Sequence, residues 1–123
     1  ATKIIDECRQ KLENKERNSA KLYYNLGMYK AAGITYSNLL LDYPDSQQGD
    51  QYKLMEIKAY YKYAQNSIYS KQKERYQDVI TQCLNFTDLY PDSKYADEAK
   101  SYYTLSENYL KTLQNEQNEK SAQ

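Results

Sequence analysis

Tyr43-Pro44-Asp45-Ser46 returns unchanged 47 residues later as Tyr90-Pro91-Asp92-Ser93. One copy of such a string is an ordinary turn, but an identical second copy predicts that the residues upstream repeat at the same offset. They do. Tyr29, Ala32, Tyr36, Leu39 and Tyr43 step by three and four, and the same offset lands on Tyr76, Val79, Cys83, Phe86 and Tyr90. Apolar residues at that spacing line one face of a helix, so each copy of the string closes an amphipathic helix with the same buried stripe. Proline lacks an N–H and disfavours the α conformation in the residue before it, which places Tyr43 and Tyr90 in last turns. The neighbouring Asp and Ser are expected to cap the N–H groups of the next helix. The chain reads as a helical repeat.

Composition first argues against this and then for it. The mean hydropathy is −1.05, and Leu, Ile, Val and Phe together make up less than about a fifth of the chain, as in disordered proteins. Sixteen tyrosines reverse that reading: hydropathy scales count Tyr as polar, yet each ring can bury on the order of 150–250 Å². The 17 basic and 17 acidic residues cancel and are mixed along the chain. That removes both the self-repulsion of a disordered segment and the basic footprint of a nucleic-acid binder. The 123 residues suffice for one domain, or for part of a longer array, burying roughly two-thirds of the unfolded surface.

Lys3 to Leu26 contain no Pro or Gly and are expected to form one long helix. Its stripe of Ile5, Cys8, Leu12, Ser19, Tyr23 and Leu26 is divided by the polar run from Glu13 to Asn18. Ile4, Ile5, Cys8 and Leu12 find no partner within the sequence, so preceding repeats or a second copy are expected to cover that face. Gly27-Met28 then makes a tight turn through a left-handed glycine. From Glu13 to Ser46 the chain has Ala20, Tyr23, Gly27, Tyr29, Ala32, Tyr36 and Pro44, a spacing that resembles the 34-residue tetratricopeptide repeat with its leading Trp replaced by Glu16. The resemblance places Ala20 and Ala32 at the helix crossing and Tyr36 in the gap towards the next repeat. Gly33 costs about 1 kcal/mol within a helix, which close helix approach explains.

The second unit, residues 47–93, is 13 residues longer than that norm. Part of the excess falls in Gln47-Gln48-Gly49-Asp50 and most between Gln65 and Arg75. The first helix of the unit is expected from about Gln51 to Ala64, with Leu54, Ile57, Tyr61 and Ala64 inward; its Ala59-Tyr60-Tyr61-Lys62 resembles tetratricopeptide helices. The stretch from Gln65 to Arg75 is either an extended loop, and so a contact site, or a further turn of the first helix through Ile68 and Tyr69 with Ser70 capping the next. A fifth helix is expected from Lys94 to about Thr112, with Tyr95, Ala99, Tyr102, Ser106, Tyr109 and Leu113 covering the last repeat. Residues 1–113 thus form the repeat domain, and 114–123 a polar, frayed tail. The fold class is all-α, a tetratricopeptide solenoid of about five antiparallel helices.

Cys8 and Cys83 are expected as buried free thiols, with a disulfide the minority alternative. Without histidine, metal binding and Cys/His catalysis lack their usual partners. Ile5-Asp6-Glu7 before Cys8 is unlike a lipid-attachment site, and no stretch approaches the roughly 18 apolar residues of a membrane span.

Over nearly its full length the chain resembles the C-terminal repeats of BamD-like outer-membrane assembly lipoproteins. The resemblance is carried by Glu7-Cys8-Arg9-Gln10-Lys11-Leu12, Lys15-Glu16, Ala20-Lys21-Leu22-Tyr23-Tyr24, Tyr29-Lys30-Ala31-Ala32, both YPDS strings, Lys71-Gln72, Arg75-Tyr76 and Lys94-Tyr95. It implies a non-catalytic scaffold at the periplasmic face of the outer membrane, held by a lipid anchor upstream. Its implied partners are the periplasmic domains of the barrel-forming assembly subunit and other assembly lipoproteins. On position and charge, the candidate partner-binding residues are Lys94, Asp97, Lys100 and Glu107 on the final helix, with Lys71 and Arg75 on the preceding connection.

Two alternatives stand beside it. The periplasmic coordinator of the Tol-Pal system also uses YPDS-like junctions, but this chain has no Trp. A peptide-binding adaptor would clamp a C-terminal carboxylate with Arg17, Lys21, Lys58 and Lys62, but the asparagine expected beside Lys21 is missing, and a solvated face accounts for these cations. Among the 17 carboxylates no spacing singles out a catalytic pair; Glu56 and Glu107 read as surface charge. No enzyme activity, cofactor or metal is expected.

Overall fold

The computed structural model describes residues 2–122, apart from the side chain of residue 122; Ala1 and Gln123, the outer ends of the two expected divisions, lie outside the described residues. Five helices follow one another: α1 Thr2–Asn25, α2 Tyr29–Asp42, α3 Gly49–Gln65, α4 Tyr69–Leu89 and α5 Ala96–Ala122. The described residues contain no strand. Each helix packs on the next across a short turn, and α3 also touches α5. The fold is all-α.

The first turn is set by Gly27, whose φ of 80° only glycine adopts freely. Its N–H donates to the Tyr24 carbonyl and that of Met28 to the Tyr23 carbonyl, at 3.0 and 2.9 Å, the two bonds of a Schellman end. At the junctions, Tyr43 and Tyr90 terminate α2 and α4 with N–H bonds back to Leu39 and Phe86. The expected capping by Asp and Ser is only partly realised. Ser46 Oγ accepts the N–H of Gln48 at 3.2 Å and Ser93 Oγ that of Tyr95 at 3.0 Å, just ahead of the helices, while Asp45 leans towards Arg9. The serine protons go elsewhere, to carboxylates on the first helix of each pair: Ser46 to Glu13 at 2.6 Å and Ser93 to Asp50 at 2.7 Å.

The duplicated stripe forms the core. Ala32, Tyr36, Leu39 and Tyr43 are buried beside Ala20 and Tyr52, and Tyr76, Val79, Cys83 and Phe86 beside Leu54, Ile57, Ala64 and Ala99. Tyr24 meets Tyr29 edge-on at 5.3 Å, and Tyr61 meets Tyr76 in the same way at 5.8 Å. These fixtures give two registers. Asp50 and Tyr61 stand 37 residues after Glu13 and Tyr24, whereas Ser93 and Tyr76 stand 47 after Ser46 and Tyr29. The second pair therefore gains its extra ten residues between Tyr61 and Tyr76, at the turn.

Those residues form no extended loop, and the first helix does not continue through Ile68 and Tyr69: three of the ten lengthen α3 beyond its α1 counterpart and seven lengthen the start of α4, the turn being three residues long in both pairs. α3 already ends at Gln65, three residues turn, and α4 begins at Tyr69, seven residues ahead of Tyr76, whereas α2 begins at Tyr29 itself. Local bonds fix this. The Ser67 hydroxyl folds back on the Tyr63 carbonyl and accepts from Arg75 at 2.7 Å, Ile68 is extended, and Tyr69 and Gln72 reach α5 through Glu116 and Tyr109. At the other end of the unit α3 starts at Gly49, two residues early. A Cβ on Gly49 would lie 2.7 Å from the Tyr90 hydroxyl, and one on Gly33 would lie 3.0 Å from the Tyr60 ring, so close helix approach does account for Gly33.

Three further expectations are corrected. α1 runs unbroken through its polar run, and its buried face carries Glu13 and Ala20; Leu12, Ser19 and Leu26 are exposed. The hydroxyls of Ser46 and Tyr52 need acceptors once buried, so a carboxylate turns in and the leucines turn out. Cys8 is exposed rather than buried; both thiols are free. Finally, α5 passes Thr112 and continues through Ala122, its last turns exposed, while Ala99, Ser106 and Leu113 are buried as expected.

Candidate functional site

The unequal lengths of the two helix pairs create a step, and the step creates a groove. The first two turns of α4 and the α3–α4 turn rise beyond the α1–α2 turn, enclosing about 820 Å³ between them. Met28 and Ile34 line it from the first pair, Tyr63 and Ile68 from the second. Three cations join them, Lys30, Lys71 and Arg75, and among the described residues no carboxylate lines the groove. The Arg75 guanidinium lies 4.2 Å from the centre of the Tyr63 ring while donating to Ser67, and Lys30 Nζ lies 5.9 Å from the same ring. Cation–π attraction of this kind is worth about 0.5–1 kcal/mol at exposed sites. It orients the guanidinium and leaves most of its five donors free.

The structure separates the six sequence-predicted residues. Lys71 and Arg75 sit on the first turns of α4 and line the groove. Lys94, Asp97 and Lys100 lie just past the other end of α4, whose 21 residues span about 30 Å. All three are exposed, with Lys94 Nζ 5.2 Å from the Tyr95 ring. Glu107, midway along α5, pairs with Lys111 at 3.4 Å. Of the four clamp cations, Arg17 and Lys21 line one cavity with Tyr36, Gln51, Tyr52 and Met55, but Arg17 is engaged, donating to Gln48 at 2.6 Å, and Lys58 pairs with Glu98 at 3.7 Å.

Two polar clusters escaped sequence reasoning. At the first junction, the Tyr52 hydroxyl donates to Glu13 at 2.5 Å beside Ser46, and burial followed by that carboxylate pushes its pKa up to about 12. The matching of Glu13 to Asp50, each upstream of a junction serine, was the available signal. In α3, Glu56 is not surface charge: it is buried against Lys53 at 2.9 Å, and Lys53 also donates to Gln82. Both clusters are satisfied internally, which suits packing rather than chemistry. Burial raises the Cys83 thiol to about 12, far from a reactive thiolate. Among the described residues no three Asp, Glu or Cys side chains gather as a metal would require, and no helix is long and apolar enough to cross a membrane.

No family model matches the chain, and no curated protein matches it.

Proposed function

We propose that the chain is a tetratricopeptide-repeat segment of a non-catalytic, BamD-like scaffold at the periplasmic face of the outer membrane, which binds the barrel-forming assembly subunit and supports outer-membrane protein insertion. One observation supports the repeat reading above the others. Two consecutive helix pairs share the tyrosine pair behind the turn and the serine–carboxylate bond at the YPDS junction. Repeat arrays present extended surfaces to other proteins, and the assembly partner follows from the motif resemblance. The exposed start of α5, with Lys94, Asp97 and Lys100, is the contact surface on this reading; Lys71 and Arg75 form a second, separate one.

The test is a binding titration of the chain against the periplasmic domains of the same organism's barrel-assembly subunit at two salt concentrations. Saturable binding that weakens with salt, and weakens again in a Lys94→Glu, Lys100→Glu variant, is expected. Absence of binding by the folded chain and by any longer native form of it would overturn the reading. The groove favours a second reading, a peptide-binding adaptor, which would survive that outcome.

A further inference from the structure

We propose that the stepped groove receives an acidic segment of a partner protein, bound through carboxylates on either side of an apolar side chain. The inference goes beyond the scaffold reading, because it fixes the chemistry of the segment whatever protein carries it. Charge is the first argument. The chain as a whole is neutral, yet Lys30, Lys71 and Arg75 meet in one concavity, and among the described residues no carboxylate lines it and none of the three forms an ion pair. Arg75 is held by Ser67 and Tyr63 with its remaining fork available, a geometry that fits a carboxylate through two parallel bonds.

The apolar half is equally specific. Met28, Ile34 and Ile68 line the same groove and are 50, 46 and 69% exposed. Apolar side chains kept at a concave surface between cations suit an occupant of mixed character. A bare anion would leave them wet, and a purely apolar helix would bury three charges without partners. Nucleic acid fits less well: three cations are a small phosphate footprint, and Arg75 and Lys30 already lie over the Tyr63 ring on which a base would stack.

The test uses a fluorescein-labelled nine-residue peptide with glutamates flanking a central pair of leucines, and a control with glutamine at every glutamate. Anisotropy titration is expected to give saturable binding to the glutamate peptide and at least tenfold weaker binding to the control. Lys30→Glu with Lys71→Glu should weaken the glutamate peptide by at least tenfold, and Ile68→Ser by about threefold, with helicity retained in both because all three side chains are exposed. Equal affinity for the two peptides, no saturable binding, or an unaffected double variant would overturn the proposal. Phosphatidylglycerol vesicles that bind through the same lysines while the peptide fails to compete would also overturn it, in favour of a lipid headgroup. None of these readouts uses the assembly subunit, so failure here and failure of the scaffold reading are separately visible.

Discussion

The α1–α2 and α3–α4 pairs are built from the same fixtures, yet they differ in what surrounds their first helices. α3 has α2 on one side and α4 with α5 on the other, and it is buried almost all round, including Lys53 and Glu56. α1 packs on α2 and otherwise meets α3 through the bond from Tyr52 to Glu13. Its positions 37 residues earlier, Glu16 and Ser19, are half-buried and exposed, and Ile4, Ile5 and Leu12 face solvent. The burial of a position in a repeat is thus decided by its neighbours, not by its own residue. A second difference concerns the turns: the second pair has a helix start that overhangs its neighbour, and that overhang makes the groove lined by Lys30, Lys71 and Arg75.

The largest expected effect probes what the pairs share. Burial raises Tyr36 in the first pair, and Tyr52, Tyr76 and Cys83 in the second, to about 12. Folded groups that hold their protons more tightly than the unfolded chain contribute stability below the unfolded values, 10 for Tyr and 9 for Cys, and lose it as pH rises towards 12. Thermal melts should therefore hold to about pH 9 and collapse cooperatively above it. In Cys83→Ala the onset should move towards pH 10; an onset unchanged by that substitution would mean the thiol is not buried as described.

Next in size are Phe86→Ala and its counterpart Leu39→Ala, both fully buried. About 3–5 and 2–5 kcal/mol are expected, respectively, read from denaturant midpoints. A loss at Leu39 well below this range would show that the first pair frays separately from the second. Glu13→Ala should cost about 1–3 kcal/mol, because the hydroxyls of Tyr52 and Ser46 lose a buried acceptor. Asp50→Ala, at the partly exposed equivalent, should cost about 0.5–1.5 kcal/mol; equal costs would erase the contrast between the junctions. The last effect has the opposite sign. Among the described residues Ser106 Oγ is buried without a partner, so Ser106→Ala should raise the melting temperature by a few degrees, corresponding to about 1 kcal/mol or more.

The second helix of each pair was legible because its stripe occurs twice, and two matching 3–4 spacings leave little freedom of phase. The α5 stripe was legible from one copy, since Ala99, Ser106 and Leu113 recur at sevens. α1 was misread because its leucines point outward and its buried carboxylate looks like surface charge. The start of α4 was misread because Ser70-Lys71-Gln72-Lys73-Glu74-Arg75 has no apolar stripe of its own; its helix is held by contacts to Tyr109 and Glu116 on α5. Of the candidate site, Lys71 and Arg75 were named from sequence, but as loop residues joined to a distant helix. Lys30, Met28, Ile34 and Tyr63 carried no signal, since each looks ordinary within its own helix.

By itself the sequence determined the all-α class, the duplicated stripe, the positions of the turns at Gly27, Pro44 and Pro91, and the need to bury tyrosine. These are local or periodic properties, set by backbone restrictions at proline and glycine and by helical spacing. The tertiary structure alone decided which face of α1 turns inward, how ten extra residues divide between the end of α3 and the start of α4, and that three cations and three apolar side chains share one groove. Those outcomes depend on hydrogen-bond partners and packing surfaces supplied by residues some 30 to 50 positions away, which no local pattern encodes.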